Sequence, residues 1–356
     1  MRFGINLFPT VGPADKPADR YFADALRLAE LAERSGLDHV KTVEHHATPY
    51  GGYSPDPVTL LAAVAARTSR IRLVTGAVIP AFTHPVALAG RLAMLDNISG
   101  GRLSVGFARA FLPDEFAAFG IPLDESRARF DESVAAIERL WTDEDVRHEG
   151  RFHTFGPLTV LPRPLQRPHP PVLVASARSP ESCVAAGRAG RGLLLVPSIN
   201  SVERVQEVLA LYREEWRRAG HPGEGEVQLS YSCYLADDDA EALEQGRRYA
   251  ERTNAVLADA VEPWVHTRSD QYPGYEGVVE KARNADFGRQ LASHRVLVGD
   301  PARVLDTVHQ IREWFGEVTV SAQVISGNPP LAESERTVTL LAEQVAPHVT
   351  SQTIHI

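Results

Sequence analysis

The sequence predicts a single-domain (β/α)8 barrel, the TIM-barrel form of the α/β class, with insertions. Apolar, β-branched runs alternate with segments of helical period along nearly the whole chain, as expected for parallel strands buried on both faces. Eight such runs occur, and a length of 356 residues fits one barrel with added loops. Periodicity alone leaves an open doubly wound sheet as the alternative to a closed barrel.

The strands begin at the N-terminus, where RFGINLF alternates at once. The strand candidates are 2–8, 39–44, 71–79, 102–109, 171–176, 192–197, 227–236 and 318–325. Apolar residues between them recur at helical spacing. Examples are Phe22, Ala25, Leu26 and Ala29, then Val58, Leu61, Ala62 and Ala65, then Phe130, Val134, Ile137 and Trp141. Each group predicts a helix packed on the sheet.

Two segments interrupt the alternation, and both are expected to be parts of the one domain, residues 1–356. Residues 145–170 predict a short hairpin followed by a proline-rich return to the barrel. Residues 261–292 are rich in glycine, proline and aromatic residues, and long loops in compact domains are commonly functional. We expect this second segment to be an active-site lid, with Trp264 and Tyr272 as apolar covers; static packing of both side chains is the alternative.

Composition excludes several classes of partner. A formal net charge of -9 argues against a broad nucleic-acid or anionic-membrane surface. No apolar run reaches the length of a membrane span, and the N-terminus lacks the pattern of a signal peptide, so a cytoplasmic location is expected. Cys183 and Cys233 have no metal-ligand spacing and are interpreted as reduced core thiols.

Glu44, His45 and His46 follow the second predicted strand and therefore belong to the C-terminal rim, where barrel enzymes carry their active sites. A histidine there can move protons near neutral pH. The alternative is that the three side chains only form hydrogen bonds within a loop. A metal site is not expected, because adjacent side chains on an extended segment diverge and no third ligand has a recognisable spacing.

Arg109 and the segment Ser176–Ser179 end two further strands on the same rim. A guanidinium suits phosphate recognition, although Arg109 has Asp114 and Glu115 nearby as alternative salt-bridge partners. Two hydroxyls at a helix start suit an anion, although Ser179 before Pro180 also fits a simple helix N-cap. Together these groups indicate a cofactor that carries a phosphate.

Four ordered segments resemble the flavin-dependent luciferase-like monooxygenases. They are VEHHATPYGG at 43–52, the long block TGAVIPAFTHPVALAGRLAMLDNISGGRLSVGFARAFLPDEFAAFG at 75–120, VASARSPES at 174–182 and HRVLVGDPARV at 294–304. The resemblance implies that reduced FMN reacts with O2 through a C4a-(hydro)peroxyflavin and that the chain oxygenates a small organic substrate. It also implies that His45 assists proton transfer beside the flavin, with Glu44 and His46 as its companions.

The resemblance further assigns the cofactor-binding residues. Arg109, Ser176 and Ser179 would hold the FMN phosphate, assisted by the amides of Ala175 and Ser176, and a cis peptide at Gly76–Ala77 would lie beneath the isoalloxazine ring. Two positions depart from the luciferases, because Ala108 replaces a reactive cysteine and Ala175 replaces a glutamate. The resemblance therefore leaves open whether light is emitted, and the chain resembles the natural-product tailoring enzymes of the family at least as well.

Expected partners follow from the motifs and the composition of the sequence. No G-x-G-x-x-G follows a predicted strand, so reduced FMN is expected from a separate reductase. A homodimer is expected through the alanine-rich helices at 54–68 and 85–98. Three alternatives remain open: a deazaflavin-dependent oxidoreductase on the same barrel, a catalytically silent flavin-binding subunit, and a metal-dependent hydrolase. The sequence names neither the substrate nor the type of oxygenation.

Overall fold

The computed structural model describes residues 1–176 and 179–349. Its strands are β1 (Arg2–Leu7), β2 (His39–Thr42), β3 (Arg72–Val78), β4 (Leu103–Phe107), β5 (Val146–Glu149), β6 (Thr154–Leu158), β7 (Val172–Ala175), β8 (Gly192–Leu195), β9 (Val227–Leu235), β10 (Leu297–Gly299) and β11 (Thr319–Gln323). Its α-helices are α1 (Ala18–Arg34), α2 (Pro57–Arg67), α3 (Pro85–Ile98), α4 (Pro113–Ala118), α5 (Ser126–Thr142), α6 (Pro180–Arg188), α7 (Val202–Arg218), α8 (Asp239–Val261), α9 (Val278–Arg283), α10 (Phe287–Ala292), α11 (Pro301–Phe315), α12 (Leu331–Leu340) and α13 (Ala346–Val349). A π-helical turn, Leu341–Val345, joins the last two.

Eight strands close a parallel barrel in the order β1, β2, β3, β4, β7, β8, β9 and β11, and β11 pairs with β1. The predicted closed barrel is confirmed, and each of the eight strand candidates supplies one barrel strand. The additional strand β10 pairs with the end of β9 and was not predicted, because three residues are too short to show a period. None of the helices within the described ranges is long and apolar enough to cross a membrane.

Local sequence explains where the helices begin. Helices α2, α3, α4, α6 and α11 start with proline, whose fixed φ suits the first helical position and whose missing N–H costs no hydrogen bond there. The side chains of Asp56 and Asp300 cap α2 and α11 by accepting backbone N–H groups. These starts fix the loops that lead from each strand end into the next helix.

The barrel interior is polar on one side and apolar on the other. Lys41 on β2 reaches Ser230 on β9, and His39 on β2 reaches Ser321 on β11. Neither pair of strands is adjacent, so these side chains cross the interior. On the opposite side, Val74, Ala77, Leu173 and Leu194 form a separate apolar cluster. Alternate residues such as Ile5 and Leu7 face outward into the main core under the helices.

The two interrupting segments adopt their own structure. Strands β5 and β6 form an antiparallel hairpin within 145–170. Residues 261–292 contain two short 3-10 turns and the helices α9 and α10, with Trp264 and Tyr272 buried against the loop that follows β4. Cys183 and Cys233 are both buried free thiols.

Candidate active site

Three polar residues singled out in the sequence each follow a barrel strand: Glu44 follows β2, Arg109 follows β4 and Ser176 follows β7. Ile79, whose amide Glu44 binds, follows β3, which lies between β2 and β4 in the barrel. The strand candidates 39–44, 102–109 and 171–176 each ended on one of these polar residues, whereas the observed strands end one or two residues earlier. Their side chains therefore lie on one arc of the C-terminal rim.

His45 is buried and is held by a carboxylate. Its Nδ1 lies 3.0 Å from Oε1 of Glu115, and the same oxygen accepts the backbone N–H of His46 at 2.8 Å. The backbone N–H of His45 donates to the carbonyl of Ser54. Because a carboxylate accepts, Nδ1 is the protonated nitrogen, and a neutral His45 has its lone pair on Nε2.

Glu44 and His46 form a second, separate pair. Nε2 of His46 lies 3.0 Å from Oε1 of Glu44, and Oε2 of Glu44 accepts the amide of Ile79 at 2.9 Å. Burial raises the pKa of the Glu44 carboxyl, and the hydrogen bonds from His46 and Ile79 oppose that rise. The two histidines therefore face different carboxylates, and Glu44 also connects β2 to the end of β3.

Aromatic rings surround both histidines. The His45 ring lies 5.9 Å from Phe8, 5.0 Å from Tyr50 and 6.1 Å from Phe111, measured between centroids. His46 is flanked by Phe82 and Phe119, which stack on each other at 4.4 Å. These contacts make an apolar wall at this end of the arc.

The floor between the histidines and Arg109 consists of small side chains. The peptide bond Gly76–Ala77 is cis, which is the isomer that the resemblance implies. Ala77 is buried in the apolar cluster with Val74, Leu173 and Leu194, and Ala108 and Ala175 pack against that cluster. The floor is thus apolar and carries only short side chains near its rim.

Arg109 has a buried hydrogen-bond donor without a partner. Its Nη2 donates to the carbonyl of Gln271 at 3.3 Å, and its guanidinium lies 4.9 Å from the centre of the Tyr272 ring. Nη1 is buried and has no hydrogen-bond partner among the described residues. Burial lowers the pKa of Arg109, but an arginine remains charged. Asp114 and Glu115 do not pair with it, so this alternative from the sequence is wrong. A buried cation with a free donor fits an anionic ligand.

The start of α6 lies near this guanidinium, and here the structure corrects two expectations. The amide of Ser176 donates to the carbonyl of Leu194 and so belongs to the sheet, because the backbone of residue 176 still continues the pairing of β7 with β8. The hydroxyl of Ser179 accepts the Ser182 amide and donates to Glu181, so it is a helix N-cap. The Ser176 hydroxyl is buried beside Cys183. Ala177 and Arg178 of the VASARSPES segment lie outside the described residues.

Two residues that the sequence analysis did not assign to the site belong to it by geometry. Glu115 was considered only as a partner of Arg109, yet it orients His45. Arg127 on α5 lies 3.5 Å from the Ser182 hydroxyl at the start of α6, and its charge acts on Arg109. The sequence does show a second arginine, Arg127, but nothing in it indicated that this residue of α5 would reach the start of α6.

Residues 261–292 lie over Arg109 and the loop after β4. The Tyr272 hydroxyl donates to the carbonyl of Ala110 at 2.9 Å, and the Trp264 indole donates to that of Phe111 at 2.9 Å. Both rings pack with Phe116 and Tyr275 in a cluster that also includes Phe111. This segment therefore contacts Arg109, the cationic end of the arc, directly.

The arrangement fits a flat ligand with an anionic end. Arg109 and Arg127 supply positive charge, the Ala77 floor supplies an apolar surface, and His45 supplies a buried imidazole at the other end. No group of three or more His, Cys, Asp or Glu side chains within residues 1–176 and 179–349 is arranged to hold a metal ion.

Comparison with known proteins agrees with this arrangement. The model of the luciferase-like monooxygenase family matches residues 1–317. The oxygenase component of a flavin-dependent trigonelline monooxygenase from Acinetobacter baylyi is 32% identical over 244 residues, which cover 68% of this chain and 67% of that protein. The crystal structure of the monooxygenase RslO1 from Streptomyces bottropensis is 56% identical with a TM-score of 0.90, over 98% of this chain and 100% of that one.

A more distant structure shows the same fold. The oxygenating constituent of 3,6-diketocamphane monooxygenase from Pseudomonas putida, a type II Baeyer-Villiger monooxygenase in complex with FMN, is 22% identical with a TM-score of 0.81, over 98% and 99% of the two chains. The family assignment rests on the match to the family model and on the trigonelline monooxygenase component and RslO1, which are each more than 30% identical to this chain. The chain belongs to the luciferase-like monooxygenase family and is an oxidoreductase of the monooxygenase class.

Proposed function

We propose that this chain is the oxygenase component of a two-component monooxygenase that uses reduced FMN and O2 to oxygenate a small organic substrate. The proposal rests on one observation: within residues 1–176 and 179–349 the buried Nη1 of Arg109 has no hydrogen-bond partner, and it lies at one end of an arc whose other end is His45 paired with Glu115. Relatives named as FMNH2-dependent or flavin-dependent monooxygenases support the cofactor.

When bound, reduced FMN would supply the electrons that activate O2, of which one atom would go to the substrate and the other would leave as water. Arg109 and Arg127 would hold the phosphate, which would give the Arg109 Nη1 donor an acceptor. Ser176 and Ser179 would contribute by fixing the start of α6, because the Ser176 hydroxyl donates to the Ser179 carbonyl and the Ser179 hydroxyl accepts the Ser182 amide. The apolar floor around Ala77, with Ala108 and Ala175, supports the ring and excludes water from one face.

His45 is the proposed proton-transfer residue. With Nδ1–H directed at Glu115, its Nε2 is the atom that accepts or returns a proton during oxygenation. The side chains of Glu44 and His46 pair with each other and not with His45 or Glu115, although the His46 amide donates to Glu115. We assign Glu44 and His46 as positioning residues, because Glu44 holds the Ile79 amide at the end of the floor strand. The aromatic wall around the histidines favours an apolar substrate over a charged one.

The reductant is proposed to come from a separate protein. The relative in Acinetobacter baylyi is named as an oxygenase component, and this chain has no dinucleotide-binding glycine motif after a strand. We also propose a homodimer through α2 and α3. Met94 and Ile98 lie one helical turn apart on α3 and are about half exposed, at 49% and 50%, so a partner helix packed there would cover two apolar side chains.

Cofactor binding tests the proposal directly. Anaerobic titration should give micromolar or tighter binding of reduced FMN, and Arg109→Met should weaken it about 100-fold, since charge-assisted hydrogen bonds to the phosphate contribute about 1.5 to 3 kcal/mol. Arg147→Met on β5, an exposed arginine outside the site, is the control. Tight binding of a reduced deazaflavin without binding of FMN would overturn the cofactor, and rapid oxidation of NADH by the purified chain would overturn the separate reductase.

A further inference from the structure

Lys41 is an unusual choice of residue in this chain. Of the 37 basic residues only three are lysines, Lys16, Lys41 and Lys281; the others are arginines. Lys16 pairs with Asp24 near the surface, and Lys281 is exposed on α9. Lys41 is 1% exposed inside the barrel. Arginine fills the neighbouring interior position at Arg72, where Glu226 pairs with it. A lysine differs from an arginine in that it can lose its proton.

The side chain of Lys41 lies against the floor of the site. A Cβ atom placed on Gly76 would lie 2.3 Å from both Cγ and Cδ of Lys41. The lysine methylenes therefore touch the backbone of residue 76, which is one half of the cis peptide Gly76–Ala77. The side chain fills the barrel interior directly on the inner side of this peptide, and only glycine at position 76 leaves room for it.

The Lys41 amine is incompletely satisfied. Nζ donates to the Ser230 hydroxyl at 2.9 Å, its single hydrogen bond within the described residues, and it has no carboxylate within salt-bridge distance there. On the adjacent strand, Asn6 pairs in register with Lys41 and has a buried Oδ1 without a partner among the same residues. An ammonium has three N–H donors, and the Lys41 ammonium uses one of them, for Ser230, within the described residues. No carboxylate within salt-bridge distance there balances its charge.

The burial of Lys41 favours the loss of its proton. Burial lowers the pKa of Lys41 to about 7, and the charge of Glu226 opposes that shift. His39, on the same strand, is also buried, and burial lowers its pKa, so it does not supply a second interior cation. A negative charge arriving on the other side of the floor would favour the protonated amine.

We propose that Lys41 makes the site prefer reduced FMN over oxidised FMN. The reduced ring carries a negative charge when N1 is deprotonated, whereas the oxidised ring is neutral, so an ammonium under the floor stabilises the reduced form selectively. Such a preference suits a protein that receives reduced flavin from a partner and releases oxidised flavin after each turnover. Lys41 acts through the floor and is a positioning residue; the inference rests on the proposed use of FMN.

The first test compares the affinities for the two redox states. Lys41→Met keeps most of the methylene packing against Gly76 and removes the amine. The ratio of the dissociation constants for oxidised and reduced FMN should fall about tenfold in the variant, which equals a drop of about 30 mV in the midpoint potential of bound FMN for a two-electron couple. Lys281→Met is the matched control and should leave the ratio unchanged. A ratio within twofold of wild type in Lys41→Met would overturn the inference.

The second test uses the unmodified protein, so it does not depend on the folding of a variant. With three lysines, protein labelled with 13C-lysine gives three side-chain signals, and the buried one belongs to Lys41. Reduced FMN should raise the pKa of Lys41 about one unit more than oxidised FMN does, because the tenfold preference and the proton affinity are linked. Equal titration in the two complexes would overturn the inference. Failure of both redox states to bind would instead overturn the proposed cofactor.

Discussion

At the scale of single residues, the proposed proton transfer depends on how Glu115 holds His45. The carboxylate accepts from the His45 ring and from the His46 amide, so one oxygen fixes both the ring and the backbone of the loop. His45 was predictable from the sequence because a histidine that follows a barrel strand lies on the C-terminal rim. Its partner Glu115 was not predictable, because 70 residues separate the two and the six-residue helix α4, which carries Glu115, is too short to show a periodic pattern.

Replacing His45 should abolish most of the oxygenation and spare cofactor binding. His45→Ala is expected to lower kcat for substrate oxygenation by about 10² to 10⁴, the usual contribution of a proton-transfer group. The dissociation constant of reduced FMN should change less than about threefold, because the phosphate end of the site is intact. Product analysis and anaerobic titration measure the two quantities. An equal loss of FMN affinity would show that His45 binds the cofactor instead.

Replacing Glu115 should weaken the same step to a lesser degree. Glu115→Ala frees the His45 ring and is expected to lower kcat about 10- to 100-fold with little change in FMN affinity, whereas Asp114→Asn, on the adjacent exposed carboxylate, should change neither. The ring tautomer, followed by 15N NMR of histidine, should shift from Nδ1–H to a mixture in Glu115→Ala. An unchanged tautomer would contradict the assigned role of Glu115.

At the scale of elements, connections between strands and helices position the site and hold the barrel together. Glu33 near the end of α1 accepts the backbone N–H groups of Ser69, Arg70 and Ile71, and so fixes the chain just before β3. Burial alone would raise the pKa of Glu33, but these three hydrogen bonds and the charge of Arg70 lower it to about 2. β3 carries Gly76 and Ala77 at its other end.

The lowered pKa of Glu33 predicts a pH-dependent contribution to stability. Because the pKa of Glu33 in the folded state lies below its ordinary value of 4.5, the contribution is complete above about pH 4.5 and is lost as the pH falls toward about 2. Glu33→Gln should lower the free energy of unfolding by about 1 to 2 kcal/mol at pH 7, a value reduced for solvent screening, and by much less at pH 2.5. Urea unfolding at both pH values measures this.

The control for Glu33 lies one turn earlier on the same helix. Glu30 makes only a surface contact with Arg67 at 3.4 Å, so Glu30→Gln should cost less than about 0.5 kcal/mol at either pH. Equal effects of the two substitutions at pH 7 would contradict the importance of the backbone hydrogen bonds.

The segment 261–292 is proposed to respond to the cofactor because Gln271 and Tyr272 contact Arg109. Phosphate binding at Arg109 is expected to order this segment, so reduced FMN should slow backbone hydrogen exchange in residues 264–277. The hairpin β5–β6 lies outside the site and is the internal reference. Equal exchange and equal proteolysis with and without flavin would show that the segment is static packing and not a lid.

At the scale of the whole molecule, the barrel was predictable because its strands are parallel and buried and therefore appear as separate apolar runs. Periodicity alone could not show that the barrel closes, because closure depends on the pairing of β1 with β11 and of β8 with β9. The anion site that the sequence predicted after β4 and β7 stays a prediction, and the structure changes the atoms assigned to it. One further residue of sheet pairing turns the Ser176 amide away, and Arg127 comes from a helix that sequence alone did not place.

The exposed apolar residues of α3 predict the oligomeric state. The protein should have twice its chain mass at micromolar concentration, and Met94→Glu should shift it toward the monomer by placing a charge in the apolar interface. Arg218→Glu on α7, also exposed, should leave the mass unchanged. Light scattering coupled to size exclusion measures this. A monomeric wild type would show that the small residues of α2 and α3 pack only against the barrel.

The most direct test of the central claim is a stopped-flow reaction of the anaerobic protein, loaded with photoreduced FMN, with O2. We predict a transient oxygenated flavin, with absorbance distinct from both reduced and oxidised FMN, that persists much longer with the protein than with free FMN and that transfers oxygen less efficiently in His45→Ala. Immediate return to oxidised FMN, with no transient at any concentration of protein, would contradict the assignment of this chain as an FMN-dependent monooxygenase.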